Sequence, residues 1–190
     1  MRRFMLAAGA MGLVGLVALA ASAAPPAATT PEPASAAAFR VVYSVLTHPR
    51  CMNCHTTVNW PTQGDRQVRH NFNVLRGPDG RGPAGMKCST CHQEANQAVG
   101  NVPGAPDWHM APVAMGWTGL GPAALCQALK DPARNGGRSG GQVIAHLKGD
   151  PLVLWAWAPG GKRSAPPVLH AKFVEAAEAW IRLGGACPAS

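Results

Sequence analysis

The chain has 190 residues, with 17 Lys plus Arg against 9 Asp plus Glu, a formal net charge of +8. That length holds one domain and a leader. The basic residues form no run interleaved with aromatics, so nucleic-acid binding is not expected.

Two of the positive charges, Arg2 and Arg3, open a segment laid out like an export signal. Residues 4–20 are an apolar run, and Ala21-Ser22-Ala23 is a small-x-small cleavage site. We expect residues 1–23 to be a cleaved signal peptide and the protein to be periplasmic. A membrane attachment follows only if the signal is retained as an anchor, since no Cys follows the cleavage site to carry a lipid. Residues 24–38 are almost all Ala, Pro and Thr, a composition expected to form a flexible leader. Residues 39–188 are then the folded domain. Without Arg2 and Arg3 the basic count is 15 against 9 acids, +6 for the mature chain.

In chain order, Phe39, Val42, Tyr43 and Leu46 recur at three- and four-residue spacing and predict a helix over 36–47, ended by Pro49. Residues 58–83 are polar and rich in turn signals, including Gly77-Pro78-Asp79-Gly80, and read as loop. Residues 100–121 read as a second loop, carrying Trp108, His109, Met110, Met115 and Trp117. Pro122 opens a short helix with Leu125 and Leu129 on one side, stopping near Asp131-Pro132. A helix over 139–147 turns Val143, Ile144 and Leu147 inward, while the apolar stretch 152–157 takes no clear assignment. The last helix, 169–183, carries Phe173, Ala176, Ala177, Trp180 and Ile181 on one face and stops at Gly184-Gly185. No strand-like alternation persists.

The chemistry lies in the cysteines. Cys51-Met52-Asn53-Cys54-His55 and Cys88-Ser89-Thr90-Cys91-His92 both fit the c-type haem attachment signature. In that reading the four thiols bond to haem vinyl groups, and His55 and His92 become the proximal iron ligands. The rival is a four-thiolate zinc site. The 33 residues between Cys54 and Cys88 exceed the usual ribbon spacing, and a His follows both pairs. Two motifs behind an export signal therefore predict two covalent c-type haems. The general secretory route fits better than the twin-arginine route, because haem attachment follows export. The fold class expected is mainly α, with short helices and long loops wrapped around two haems and no substantial sheet. Such long loops are unusual unless large cofactors supply the surface they pack on.

Cys126 and Cys187 remain as an even pair in an oxidising compartment and are expected to form a disulfide. For the sixth iron ligands, His70 and His109 are preferred because both lie in loops outside the motifs. Met115 is the first alternative, and His48 and His170 follow. His146 reads as a helix-surface residue, and Met52, Met86 and Met110 as packing. Trp60, Trp108, Trp117, Trp155, Trp157 and Trp180 are expected to pack on haem faces rather than to carry electrons by hopping.

The chain resembles a family of small bacterial dihaem cytochromes often labelled isoquinoline 1-oxidoreductase subunit. The resemblance runs through Cys51–His55, His70, Arg76-Gly77-Pro78-Asp79-Gly80, Cys88–His92, Pro103-Gly104-Ala105-Pro106-Asp107-Trp108-His109, residues 129–137, Asp150-Pro151-Leu152-Val153 and Gly185-Ala186-Cys187-Pro188. It implies a cytochrome passing electrons between redox partners and taking them from a molybdenum hydroxylase. It does not imply that this chain binds molybdenum. Two other functions are weighed. A small peroxidase-like enzyme needs one open iron and a polar distal group, for which Arg66, Arg69 or Gln63 are at hand. A haem sensor also needs an open iron. Carbon monoxide binding separates both from a carrier.

Overall fold

The computed structural model describes residues 31–189. The signal peptide and most of the leader, residues 1–30, lie outside the described residues. The fold is mainly helical. Helices α1 (Ala34–Leu46) and α2 (Pro49–Met52) come first. A minimal hairpin of β1 (Thr62–Gln63) and β2 (Val68–Arg69) pairs Thr62 with Arg69 and Gln63 with Val68. Helices α3 (Pro122–Lys130), α4 (Gly140–Gly149), α5 (Pro151–Trp155) and α6 (His170–Arg182) complete the chain. No helix among the described residues is long and apolar enough to cross a membrane.

The helices form where the apolar spacing predicts them. α1 buries Phe39, Val42 and Leu46 and packs chiefly against α6, which buries Phe173, Ala177 and Trp180. The Phe39 and Trp180 rings meet at 4.9 Å between centroids. Leu125 and Leu129 of α3 and Val143 and Leu147 of α4 close the same core. Ser139 starts α4 through a reciprocal capping box with Gln142, which satisfies two backbone donors at once. The unassigned stretch after Asp150 becomes α5, because Pro151 fits the first helical position and the Asp150 carboxylate accepts from the N–H groups of Leu152 and Val153.

One boundary differs from the sequence reading. Residues 34–38, placed in the flexible leader although the helical spacing is read from residue 36, belong to α1. The Ser35 hydroxyl, 3% exposed, donates to the Trp180 carbonyl at 2.8 Å and accepts from the Ala186 N–H at 2.9 Å. These bonds tie the start of α1 to the C-terminal tail and hold an Ala-rich segment, itself a good helix former. The same tail is fixed by the Cys126–Cys187 disulfide, with Cα atoms 5.6 Å apart across 61 positions. Closing a loop of that length stabilises the fold by about 4 kcal/mol in the chain-entropy account.

The two ends of the chain thus build the helical core, and no α-helix occurs between Met52 and Pro122. That middle segment buries only Pro61, Ala105, Met110, Ala111 and Trp117 among its apolar side chains. It also holds most of the exposed large hydrophobics, including Val58, Val68, Phe72, Leu75, Val99 and Val113. A segment that buries so little apolar surface lacks a protein core of its own.

Candidate functional site

The second Cys-x-x-Cys-His segment lies in this coreless middle and the first at its edge, where α2 meets the helical core; the two share one local geometry. In the first, His48 caps α2 with its imidazole and Pro49 takes the first helical position. The Cys54 N–H then donates to the Cys51 carbonyl at 3.2 Å and the His55 N–H to the same carbonyl at 3.1 Å. In the second, a turn of 3-10 helix over Cys88–Thr90 makes the same pair of bonds, Cys91 and His92 to the Cys88 carbonyl at 3.2 and 2.9 Å. One helical turn brings positions i, i+3 and i+4 to one side, so both cysteines and the histidine of each segment lie on one side of its turn. All four cysteines are free thiols.

The settings differ. Cys51 packs against the helical core, whereas Cys91 is exposed. Burial pushes the Cys51 thiol up to about 12, with the neighbouring Cys54 adding to it. Cys54 is pushed up to about 11, first by burial and then by Cys88. The Cys54 thiol thus senses the Cys88 thiol of the second segment. Thiols held this high are not the depressed-pKa nucleophiles of a Cys-x-x-Cys oxidoreductase. No three His, Cys, Asp or Glu side chains among the described residues are gathered as a metal cage requires, so the four thiols do not form a tetrahedral site. A haem supplies four nitrogens itself and asks the protein for one or two ligands.

The histidines are held in a way that suits that demand. His55 Nδ1 is 2.8 Å from the Met115 carbonyl and His92 Nδ1 is 2.7 Å from the Pro103 carbonyl. A carbonyl only accepts, so Nδ1 carries the proton and Nε2 keeps its lone pair. Each ring is also locked by a stacked indole: Trp117 on His55 at 3.4 Å and Trp108 on His92 at 4.5 Å between centroids. Burial lowers the His55 pKa to about 4; the Met115 carbonyl opposes this, and the charges of His146, Arg76 and His109 reinforce it. His92 is lowered first by burial, with His70 contributing. Both imidazoles are neutral at pH 7.

His70 and His109 share the tautomer of the motif histidines. His70 Nδ1 is 2.8 Å from the Asn71 carbonyl and His109 Nδ1 is 2.5 Å from the Asp107 carbonyl. The His70 and His92 ring centroids lie 6.0 Å apart, with the rings edge to face. His109 lies within electrostatic reach of His55 and of His146. The backbone around both loop histidines is strained: Phe72 and Asn73 follow His70 with φ of 61° and 52°, and Asp107 precedes His109 with φ of 56°. Left-handed non-glycine residues of this kind concentrate at functional sites. Phe72 is 79% exposed, which makes its conformation costlier to explain by packing. Asn73 and Asp107 are of residue types that favour this region, whereas nothing in the sequence signals it at Phe72.

The alternatives fare differently. Met115 supplies the carbonyl behind His55, on the side away from Nε2, and its sulfur lies toward Gly136. His48 Nδ1 accepts from the Arg50 N–H, and His170 Nε2 is 3.0 Å from the Leu147 carbonyl, so both carry the proton on Nε2. His146, read as a helix-surface residue, is half-buried, and its Nδ1 lies 3.3 Å from Asp150 one turn along. It is the residue near His55 that sequence reasoning passed over; the i, i+4 Asp150 was the available signal. Of the polar groups considered for an enzyme, Arg69 lies over the Trp60 ring and Gln63 accepts from the Asn71 N–H. The Trp expectation needs correction as well. Trp180 and Trp157 pack in the helical core with Phe39 and Phe173, and only Trp108 and Trp117 stack on motif histidines.

The residues present fit the two haems that the motifs imply, by tautomer, by ring spacing and by the apolar surface left around the motifs. The chain matches no protein-family model, no curated protein and no solved structure.

Proposed function

We propose that the protein is a periplasmic dihaem c-type cytochrome that carries electrons between redox partners, of the kind that accepts them from a molybdenum hydroxylase. One haem is attached through Cys51 and Cys54 with His55 as proximal ligand, the other through Cys88 and Cys91 with His92. The observation that carries this reading is the shared arrangement of the two motif histidines, each with Nδ1 on a backbone carbonyl and a Trp against its face. Outer hydrogen bonds of this type fix the tautomer and orientation of a metal-bound imidazole. When bound, the haems supply reversible one-electron chemistry at iron.

His70, whose ring centroid is 6.0 Å from that of His92, would supply the second protein ligand to the haem held by His92. His109 would do so for the haem held by His55. The electrostatic interaction between the Cys54 and Cys88 thiols supports placing the two haems near enough for exchange. The test is a carbon monoxide titration of the reduced protein. A carrier with both irons six-coordinate stays unchanged; tight binding at one haem favours the enzyme or sensor reading.

A second reading concerns the first haem alone. His146 stands in the same neighbourhood as His109, and its Nδ1 contact with Asp150 leaves Nε2 as the lone-pair nitrogen. It takes the ligand role if His109→Ala leaves the spectrum unchanged and His146→Ala alters it.

A further inference from the structure

The buried donors without a hydrogen-bond partner among the described residues are Arg50 Nε, Arg76 Nε, Arg76 Nη1 and Trp117 Nε1. All belong to residues in contact with one stretch of chain. Arg50 immediately precedes Cys51. Trp117 stacks on His55. Arg76 Nη2 donates to the Thr56 carbonyl at 2.9 Å, the Thr56 hydroxyl at 3.0 Å and the Val58 carbonyl at 2.9 Å.

The three differ in charge balance. Arg50 is paired with the Asp65 carboxylate. Arg76 is 4% exposed, and no carboxylate among the described residues is paired with its guanidinium; burial and the Cys54 thiol are what it senses. A guanidinium does not shed its proton to escape burial, and a buried charge without a counter-ion is strongly unfavourable. Arg76 therefore calls for an anion. It lines a cavity of about 320 Å³ together with Asn59, Gly80, Met110 and Pro112. The Asp79 carboxylate on the same wall is already engaged by the Arg81 N–H at 2.9 Å and by Lys87 at 3.5 Å.

We propose that Arg76, assisted by the Trp117 indole N–H, holds a propionate carboxylate of the haem attached at Cys51 and Cys54. The inference rests on the dihaem reading above. It makes Arg76 a cofactor-positioning residue that also sets that haem's potential. A cation on the propionate offsets negative charge near the iron and so favours the ferrous form. Charge-assisted bonds from a buried guanidinium are strong and keep the carboxylate ionised.

The test compares exported wild type, Arg76→Gln, Arg76→Lys and Trp117→Phe by spectroelectrochemistry from about pH 5 to 8 and by resonance Raman spectroscopy of the propionate-bending band. Arg76→Gln is expected to keep both haems and lower one potential while leaving the other in place. That potential should become pH-dependent as the released carboxylate titrates, and the Raman band should fall. Arg76→Lys keeps the charge, so its potential moves less, but its band still falls. Trp117→Phe keeps the aromatic stack, loses the N–H and shifts the same haem by a smaller amount.

Unchanged potentials and an unchanged band in Arg76→Gln overturn the proposal. So does a wild-type potential that follows added phosphate, which would mean that Arg76 holds a free anion. If Arg76→Gln does not accumulate, an unchanged band in Arg76→Lys overturns it. Absence of covalent haem from the wild type overturns instead the reading on which the proposal rests.

Discussion

The His70 ring stands 6.0 Å from the His92 ring, their planes crossed at 68°. His70 follows the first motif in sequence but faces the histidine of the second. The hairpin and strained turn before Val74 therefore reach across to the neighbouring motif, and the loop between the motifs is tied at both of its ends.

This crossing sets an order for the ligand variants. In a protein keeping only the second haem (Cys51→Ala with Cys54→Ala), adding His70→Ala should open the iron to carbon monoxide while the haem stays attached. The same change in a protein keeping only the first haem (Cys88→Ala with Cys91→Ala) should have no such effect. The reverse assignment would show carbon monoxide binding in the second background and not in the first.

Met115→Leu should leave the ferric and ferrous spectra of both haems unchanged. The carbonyl that Met115 gives to His55 belongs to the backbone, and leucine keeps it. Two His ligands on each iron should also place both potentials below those of His/Met cytochromes. Loss of a long-wavelength band in Met115→Leu would instead assign the sulfur to iron.

Gly104 joins the Pro103 carbonyl to the rest of its loop. A Cβ there would lie 2.3 Å from the Ala95 carbonyl oxygen and 2.4 Å from that of Gln93. Gly104→Ala should push the loop outward and weaken the His92–Pro103 bond. A less electron-rich imidazole stabilises ferric iron less, so the potential of the second haem should rise while the first stays put. Equal shifts at both haems would point to a general loosening.

Cys126→Ser with Cys187→Ser should lower stability by about 4 kcal/mol, the chain-entropy value for this loop, without detaching either haem. Thermal unfolding followed by circular dichroism measures the loss. Retention of the wild-type midpoint would mean that the hydrogen bonds of Ser35 and Trp180 to Ala186 hold the tail unaided.

The helical core was legible because its signals are local. Phe39, Val42 and Leu46, or Phe173, Ala177 and Trp180, repeat at helical spacing, and Pro122 and Gly184-Gly185 punctuate the ends. The start of α1 was not, since the Ser35 bonds to Trp180 and Ala186 span 145 and 151 positions. The two Cys-x-x-Cys-His segments were legible as spacing, and so was the leftover cysteine pair. The partner of each loop histidine was not. Whether His70 meets His55 or His92 depends on the turn after His70, including a φ at Phe72 that residue type does not announce. The role of Arg76 was hidden for the same reason: a lone Arg before a turn reads as surface until its burial and orphaned donors are seen.

The most direct test of the account is the intact mass of the exported protein after denaturation and acid-acetone extraction, paired with its pyridine haemochrome spectrum. The account requires the mature polypeptide plus two haems, colour retained through extraction, and loss of one haem in Cys51→Ala with Cys54→Ala. A colourless protein with the mass of the bare polypeptide and four alkylatable thiols at Cys51, Cys54, Cys88 and Cys91 would contradict it.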